Sequence, residues 1–149
     1  MVPKRIILPP VWLVLFLLLV FMADRWLPLL TFPAWLSATA VPFSLAGLAI
    51  ILWPAVDFMR AKTGMVPFSD ASTLVTGGLY RFSRNPMYLG MGFILLGGAL
   101  KLGTLGALLP VPFFPLVIQH RYILPEEQFL LAAFGDEYRA YCQRVRRWL

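Results

Sequence analysis

The chain has 149 residues, of which 60% are hydrophobic and 13% are charged, and its mean hydropathy is +0.77. A soluble domain is usually about 45–50% apolar and about 25% charged, and a chain of this size has too little interior to cover the surplus of apolar surface. This composition excludes a disordered chain, and the single cysteine, Cys142, excludes a disulfide scaffold. We therefore predict an all-α integral membrane protein with one domain, residues 1–149.

The formal net charge is +6, from 13 Lys and Arg residues against 7 Asp and Glu residues. In a soluble protein such an excess would suggest a nucleic-acid partner. Here the cations flank apolar segments and form no basic stripe. We expect them to contact anionic lipid headgroups and to set the membrane topology, and we expect no nucleic-acid partner.

Four apolar stretches predict about four transmembrane helices. Lys4 and Arg5 before the first stretch also resemble the start of a signal peptide, but the apolar run is long and no small-residue cleavage site follows it directly. Glycines in the third stretch favour close helix packing, and prolines in the fourth predict kinks. The predicted spans are residues 6–23, 42–59, 86–100 and 105–122.

The cations predict the orientation of these spans. With four spans, both termini and the loop at 60–85 lie on one side of the membrane. Only Arg25 and Lys101 lie on the opposite side, which leaves 11 of the 13 cations on the first. Because positive residues accumulate on the cytoplasmic side, we predict cytoplasmic termini in a bacterial-type inner membrane.

Polar residues concentrate in the loop at 60–85 and in the C-terminal segment at 123–149. The loop contains Gly77 and Gly78, a pair that can turn backbone amides toward an anion or can form an ordinary turn. Pro86, after Arg84 and Asn85, suits the first residue of a helix. A long loop with these features is often a binding loop.

The C-terminal segment offers two interpretations of its first carboxylates. A helix that starts at Pro125 places Glu126 and Glu127 in its first turn, where the helix dipole favours negative charge. Alternatively, Arg121 and Glu126 form an ionisable pair at the cytoplasmic end of the fourth span, which is typical of a functional site. Both interpretations stay open from the residues alone.

Aromatic residues further along this segment recur at helical spacing opposite arginines. The pattern predicts an amphipathic helix on the membrane surface that also covers the site from the water side. His120 is the only histidine in the chain, so we expect neither a metal site nor a histidine-based catalytic triad. This face, called the aromatic face below, comprises the aromatic residues Phe134, Tyr138, Tyr141 and Trp148 together with Val145.

Two motifs together resemble a known family. The run LVTGGLYRFSRNPMYLG and the later run EEQFLLAAFGDEYRAYCQRVRRWL resemble the membrane-embedded methyltransferases related to isoprenylcysteine carboxyl methyltransferase and to phospholipid N-methyltransferases. The resemblance covers roughly residues 73–149. It implies S-adenosylmethionine as methyl donor and a lipophilic acceptor, an isoprenylcysteine-like carboxylate or a lipid amine, methylated at the cytoplasmic face.

The resemblance also implies site residues. Arg121 and Glu126 match an Arg-x4-Glu pair at the place where acceptor meets donor, and they would be catalytic. Asn85 stands where isoprenylcysteine enzymes commonly have histidine, and an amide donates a hydrogen bond but cannot act as a base. The implied cofactor-binding residues are Gly78, Tyr80, Arg84, Asn85, Pro86, Tyr88, Gly90, Glu126 and Glu127.

The alternative is a membrane protein of similar topology without catalytic activity, either a scaffold or a transporter subunit. A transporter usually contains internal repeats with discontinuous helices in both halves. In this chain the polar residues cluster in one half, which favours the methyltransferase.

Overall fold

A computed structural model describes residues 8–61 and 74–149, with side chains left undescribed at 55–61. Lys4, Arg5 and much of the predicted loop at 60–85 therefore lie outside the described residues. The described elements are helical, which confirms the predicted all-α class. They are α1 (Pro9–Trp26), α2 (Ala34–Ala38), α3 (Ala40–Ala61), a 3₁₀ turn (Gly78–Arg81), α4 (Pro86–Leu102), α5 (Leu105–Leu108), α6 (Phe113–Ile118), a π-helical turn (Gln119–Ile123) and α7 (Leu124–Arg144).

Within the described residues, three helical stretches are long and apolar enough to cross a membrane: Pro9–Trp26, Ala34–Pro54 and Leu105–Arg144. The apolar helix α4 has 17 residues and extends about 26 Å at 1.5 Å per residue, slightly less than a typical hydrocarbon core. Large apolar side chains point outward, and Phe21 of α1 is 59% exposed. Exposed apolar surface on such helices suits contact with lipid, and the protein is an integral membrane protein.

Glycines on α4 allow two other helices to approach closely. A Cβ atom on Gly90 would lie 2.7 Å from the Gly47 carbonyl oxygen of α3, and one on Gly98 would lie 2.9 Å from Leu17 Cδ2 of α1. A side chain at Gly97 would likewise lie 2.9 Å from the Ala40 oxygen. The packing interpretation is thus confirmed for these three, but Gly92 faces open space.

The main core forms where α1, α4 and α6 meet. Its central side chains are almost fully buried, and the rings of Phe16 and Phe114 meet edge to face with centroids 5.3 Å apart. Each buried side chain of this size contributes about 1.5–3 kcal/mol through loss of apolar contact with solvent. The core includes Phe16, Val20, Met91, Leu95, Ala99, Phe114, Ile118 and Ile123.

One end of the bundle is closed by the turn between α4 and α5. Gly103 ends α4 in the left-handed conformation with φ +76°. The Thr104 hydroxyl accepts a hydrogen bond from the Ala107 amide at 3.1 Å and donates one to Asp24 Oδ1 at 2.7 Å. The end of α1 therefore lies beside this turn, which brings the segments carrying Arg25 and Lys101 to the same end.

The fourth apolar stretch is interrupted at its prolines, as predicted. A turn at 109–112 separates α5 from α6, although Leu109 and Pro112 keep helical φ and ψ. The predicted helix start at Pro125 lies within one residue of the start of α7 at Leu124, with Glu126 and Glu127 in the first turn, but Ile123 before it is already helical (φ −64°, ψ −49°) and continues from the π-helical turn. In a π turn, the N–H of residue i+5 donates to the carbonyl of residue i. The helix therefore continues past Pro125, which has no N–H to donate.

The predicted amphipathic helix corresponds to α7, which bends where Gly135 adopts φ +52°. Beyond the bend, Tyr138 and Tyr141 are each 4% exposed and pack with Tyr80 in a second cluster. The aromatic face therefore contacts the segment at 74–81. The helix ends at Arg144, so the prediction that Trp148 extends this face is wrong.

Candidate active site

Three segments that are distant in the sequence meet at the other end of the bundle. They are the loop at 83–85 before α4, the first turn of α7, and the last five residues, 145–149, which we call the strap. Hydrogen bonds and ion pairs join all three. The two motifs of the sequence are thus brought into one polar cluster.

The centre of this cluster is the Glu127 carboxylate, which binds two arginines. Arg147 donates from Nε to Oε1 at 2.9 Å and from Nη2 to Oε2 at 2.8 Å, which is the two-point geometry typical of a strong pair. Arg84 Nη2 lies 3.2 Å from Oε1. The hydrogen bond with Glu127 raises the pKa of Arg147 above its ordinary value. Two cations share one anion here, so the cluster keeps a net positive charge.

Backbone groups of the strap hold the loop in place. Asn85 Nδ2 donates to the Arg147 carbonyl at 2.9 Å, and the Arg84 amide donates to the Arg146 carbonyl at 3.0 Å. The Ser83 hydroxyl, on a residue 2% exposed, accepts from the Asn85 amide at 3.1 Å. The side-chain amide of Asn85 thus ties the loop to the strap. This role needs a hydrogen-bond donor and does not need a base.

One nitrogen atom of the Arg84 guanidinium has no hydrogen-bond partner among the described residues. Its Nη1 group hydrogen-bonds to Cys142 Sγ, and its Nη2 group binds Glu127. Its Nε atom is buried and has no hydrogen-bond partner among the residues that the structure describes. A buried donor without an acceptor costs about 1–3 kcal/mol, so this position suits an oxygen atom of a bound molecule.

Glu126 points away from this cluster toward α4. The Tyr88 hydroxyl donates to Glu126 Oε2 at 3.4 Å, and the Tyr88 side chain is 9% exposed. Pro86 begins α4 and is buried beside the loop. Adjacent carboxylates therefore have different partners: Glu127 binds arginines, whereas Glu126 binds a phenol.

Arg121 lies apart from Glu126. Its guanidinium carbon sits 5.8 Å from the ring centroid of Trp12 on α1, within the range of a cation–π contact. In the described part of the chain, no ion pair joins Arg121 to Glu126. The structure brings Arg121 to the face of α1, so the two residues are not a direct pair here.

The glycine pair begins the 3₁₀ turn. Gly78 adopts φ +56°, a conformation that L side chains rarely adopt, whereas Gly77 is extended. Tyr80 in this turn accepts a hydrogen bond at its carbonyl from the Tyr141 hydroxyl at 2.8 Å. The turn is thereby fixed on α7, while Gly90 lies at the crossing with α3.

Several residues of the site were not predicted from the sequence. Arg147 and Cys142 join the cluster around Glu127, and Arg81 and Arg144 line a neighbouring cleft. The run of arginines near the C-terminus is a visible signal, but it does not reveal which arginine pairs with which carboxylate. Over the ranges 8–61 and 74–149, no group of His, Cys, Asp or Glu side chains is arranged to hold a metal ion.

These features define a helical membrane protein whose polar site lies at one end of the bundle, between α4, α7 and the strap. The sequence profile of the phospholipid methyltransferase family matches residues 35–137. The chain belongs to this family, and the predicted relationship to membrane methyltransferases is confirmed.

Two curated relatives show how far the similarity extends. An uncharacterized protein of Haemophilus influenzae is 52% identical over 63 residues, which are 42% of this chain and 100% of that protein. The protein-S-isoprenylcysteine O-methyltransferase of Schizosaccharomyces pombe is 36% identical over 75 residues, which are 48% of this chain and 30% of that enzyme. The chain thus spans the whole of the first relative and under a third of the second. No solved structure matches the chain.

Proposed function

We propose that this chain is a methyltransferase that uses S-adenosylmethionine to methylate a lipophilic acceptor, an isoprenylcysteine-like carboxylate or a lipid amine, at the cytoplasmic face. The observation that carries the proposal is the ion pair between Arg84 and Glu127, which joins the two halves of the methyltransferase-like motif at 3.2 Å. Family membership supports methyl transfer as the chemistry of this cluster.

The residues of the cluster fit the proposed donor. The Nε group of Arg84 has no partner among the described residues and suits a carboxylate oxygen, and the side chain of Asn85 lies in the same cluster. When bound, S-adenosylmethionine supplies a methyl group on a positively charged sulfur, already activated for transfer. Gly78 and Tyr80 in the turn and Pro86 at the start of α4 would shape the backbone around the donor, whereas Gly90 packs against α3.

The protein's own contribution is to position the reactants and exclude water. Glu126, turned toward Tyr88 and away from the arginines, would hold an amine acceptor or take its proton. Arg121, beside the Trp12 ring of α1, would orient an acceptor carboxylate or phosphate that enters from the lipid.

The proposed cytoplasmic location rests on charge. The segments of Arg25 and Lys101 meet at the Thr104 end, whereas Arg81, Arg84, Arg144 and Arg147 lie at the site end. Because cations are retained on the cytoplasmic side, the site faces the cytosol, where the polar donor is available.

The decisive experiment supplies the purified full chain, reconstituted in lipid, with methyl-labelled S-adenosylmethionine and analyses lipid extracts by mass spectrometry. A labelled lipophilic product is expected, together with calorimetric binding of the donor. Glu126→Gln is expected to lower turnover by about 10²–10⁴-fold. Glu137→Gln, at an exposed position of the same helix, is the matched control. Absence of both donor binding and labelled product would favour the scaffold or transporter alternative.

A further inference from the structure

One face of α1 follows the fourth apolar stretch as far as the candidate site. In the core, the ring of Phe16 packs on Phe114. Four residues earlier, on the same face of α1, Trp12 lies beside Arg121. Because Trp12 precedes Phe16 whereas Arg121 follows Phe114, the two segments run antiparallel. Trp12 therefore lies at the end of the bundle that carries the site.

The Trp12 side chain contacts two consecutive residues of the π-helical turn. Its ring centroid lies 5.8 Å from the guanidinium carbon of Arg121, within the range of a cation–π contact. Its indole group also interacts with the hydroxyl of Tyr122, a residue that is 2% exposed. Trp12 is partly buried against the main core, so its ring is held from the inner side. It thus presents a fixed aromatic surface to the exposed side chain of Arg121.

Tyr122 continues this row of aromatic contacts toward Glu126. The ring centroids of Tyr122 and Tyr88 are 6.3 Å apart, and the Tyr88 hydroxyl donates to Glu126 Oε2 at 3.4 Å. Three rings, one each from α1, the π-helical turn and α4, therefore lie between the two residues proposed to act on the acceptor. Since no ion pair joins Arg121 to Glu126 in the described structure, these rings supply the contacts that relate one residue to the other.

A ring contact is a suitable way to hold an arginine that must also bind a ligand. An exposed arginine side chain has many rotamers, and ordering it when a ligand binds lowers the affinity. A cation–π contact limits these rotamers in advance. It also uses none of the N–H donors of the guanidinium, unlike an ion pair with a carboxylate.

We propose that Trp12 is a positioning residue, which holds Arg121 so that its N–H groups meet the anionic group of the acceptor. The assignment rests on the proposed function, in which Arg121 orients an acceptor carboxylate or phosphate. Trp12 acts through Arg121 and needs no contact with the acceptor. It precedes the residues that match the family profile, so its contacts in this chain, rather than family membership, support the role.

The test measures methyl transfer by the full chain, reconstituted in lipid, to two acceptor probes, N-acetyl-S-farnesylcysteine and dioleoyl phosphatidylethanolamine. Trp12→Leu is expected to lower kcat/KM for the methylated probe about two- to fivefold, the range of an exposed cation–π contact. The calorimetric affinity for S-adenosylmethionine should not change, because the Glu127 cluster is unaltered. Trp12→Phe keeps a ring and should give a smaller loss, and it serves as the test if Trp12→Leu does not fold.

A double-mutant comparison separates positioning from packing. In an Arg121→Gln chain, Trp12→Leu should cause no further loss of kcat/KM, because the group that the ring holds is gone. A loss of the same size in both backgrounds would show a packing role and overturn the proposal. The matched control is Trp26→Leu, at the opposite end of the same helix, where the side chain is 77% exposed. Equal kcat/KM for Trp12→Leu and this control would also overturn the proposal.

Reaction of the arginines with phenylglyoxal, mapped by mass spectrometry, tests the contact without catalysis. Arg121 should react faster in Trp12→Leu than in the unmodified chain, because the ring no longer covers its guanidinium. Arg139, an exposed arginine that pairs with Asp136, is the internal reference and should react alike in both. Equal labelling of Arg121 would overturn the contact and with it the proposal. Absence of methylated product from the unmodified chain would instead contradict the proposed function, and the labelling would still decide whether Trp12 holds Arg121.

Discussion

Removing the Arg147 side chain should lower the free energy of unfolding. The loss should be limited, because Glu127 has a second arginine partner. The Arg147→Ala change deletes two charged hydrogen bonds, at 2.9 and 2.8 Å. Bonds to charged groups contribute about 1.5–3 kcal/mol, but exposed ion pairs contribute only about 0.2–1 kcal/mol. Since the Arg147 side chain is 34% exposed, and Glu127 keeps Arg84 at 3.2 Å, we expect a loss of about 1–2 kcal/mol in the free energy of unfolding.

Removing the shared carboxylate should cost more than removing one arginine. The Glu127→Ala change leaves Arg84, whose side chain is 13% exposed, without a carboxylate partner among the described residues. Stranding a buried charge in this way typically costs about 3–5 kcal/mol. The predicted order of destabilisation is therefore Glu127→Ala, then Arg147→Ala.

Equilibrium unfolding of the detergent-solubilised chain measures these differences, with helical circular dichroism as the signal. The control is Arg146→Ala, because the Arg146 side chain is exposed while its carbonyl accepts from Arg84. A surface change of this kind should stay within about 0.5 kcal/mol of the unmodified chain. If Arg147→Ala matched this control, the pairing of the strap with Glu127 would contribute nothing and the reasoning would be refuted.

Three other changes test separate parts of the structure. Gly78→Val should weaken donor binding, since valine is strained at φ +56°; calorimetry checks this, and normal binding would reduce the glycine pair to a simple turn. Asn85→Ala should cost about 1 kcal/mol of stability through the lost bond to the Arg147 carbonyl, whereas Asn85→His keeps a donor and should cost less in the same unfolding assay. A cysteine at Lys101, with Cys142 replaced, should react with an impermeant reagent only from outside the cell, and labelling from the cytosol would contradict the topology.

Hydropathy and local backbone preferences account for the parts of the fold that the sequence predicts well. Apolar runs mark the helices because lipid excludes unpaired polar backbone, and glycines such as Gly90 mark a close helix crossing. Pro125 shows how far local reasoning reaches. It lies in the first turn of α7, as its preference for helix starts predicts, but the π-helical turn that precedes it is not visible from the proline.

The candidate site was predictable only in part, because its pairings are made by distant segments. The motif residues Arg84 and Glu127 are visible in the sequence, and the fold joins them. The partner of Arg121 is Trp12, near the other end of the chain, and no local pattern predicts that contact. Arg147 reaches Glu127 because the helix ends at Arg144 and the backbone becomes extended at Val145 (φ −124°, ψ 130°).

The two adjacent glutamates have different partners, and this predicts different effects of their variants. Glu127 uses both oxygens on arginines, so its charge is committed to holding the loop, α7 and the strap together. Among the described residues, Glu126 accepts a hydrogen bond from Tyr88 at 3.4 Å and keeps lone pairs for a ligand. If both acted on the acceptor, the Gln variants would impair turnover alike. The geometry instead predicts that Glu127→Gln lowers stability and donor affinity, whereas Glu126→Gln lowers turnover in a chain that still folds and binds the donor.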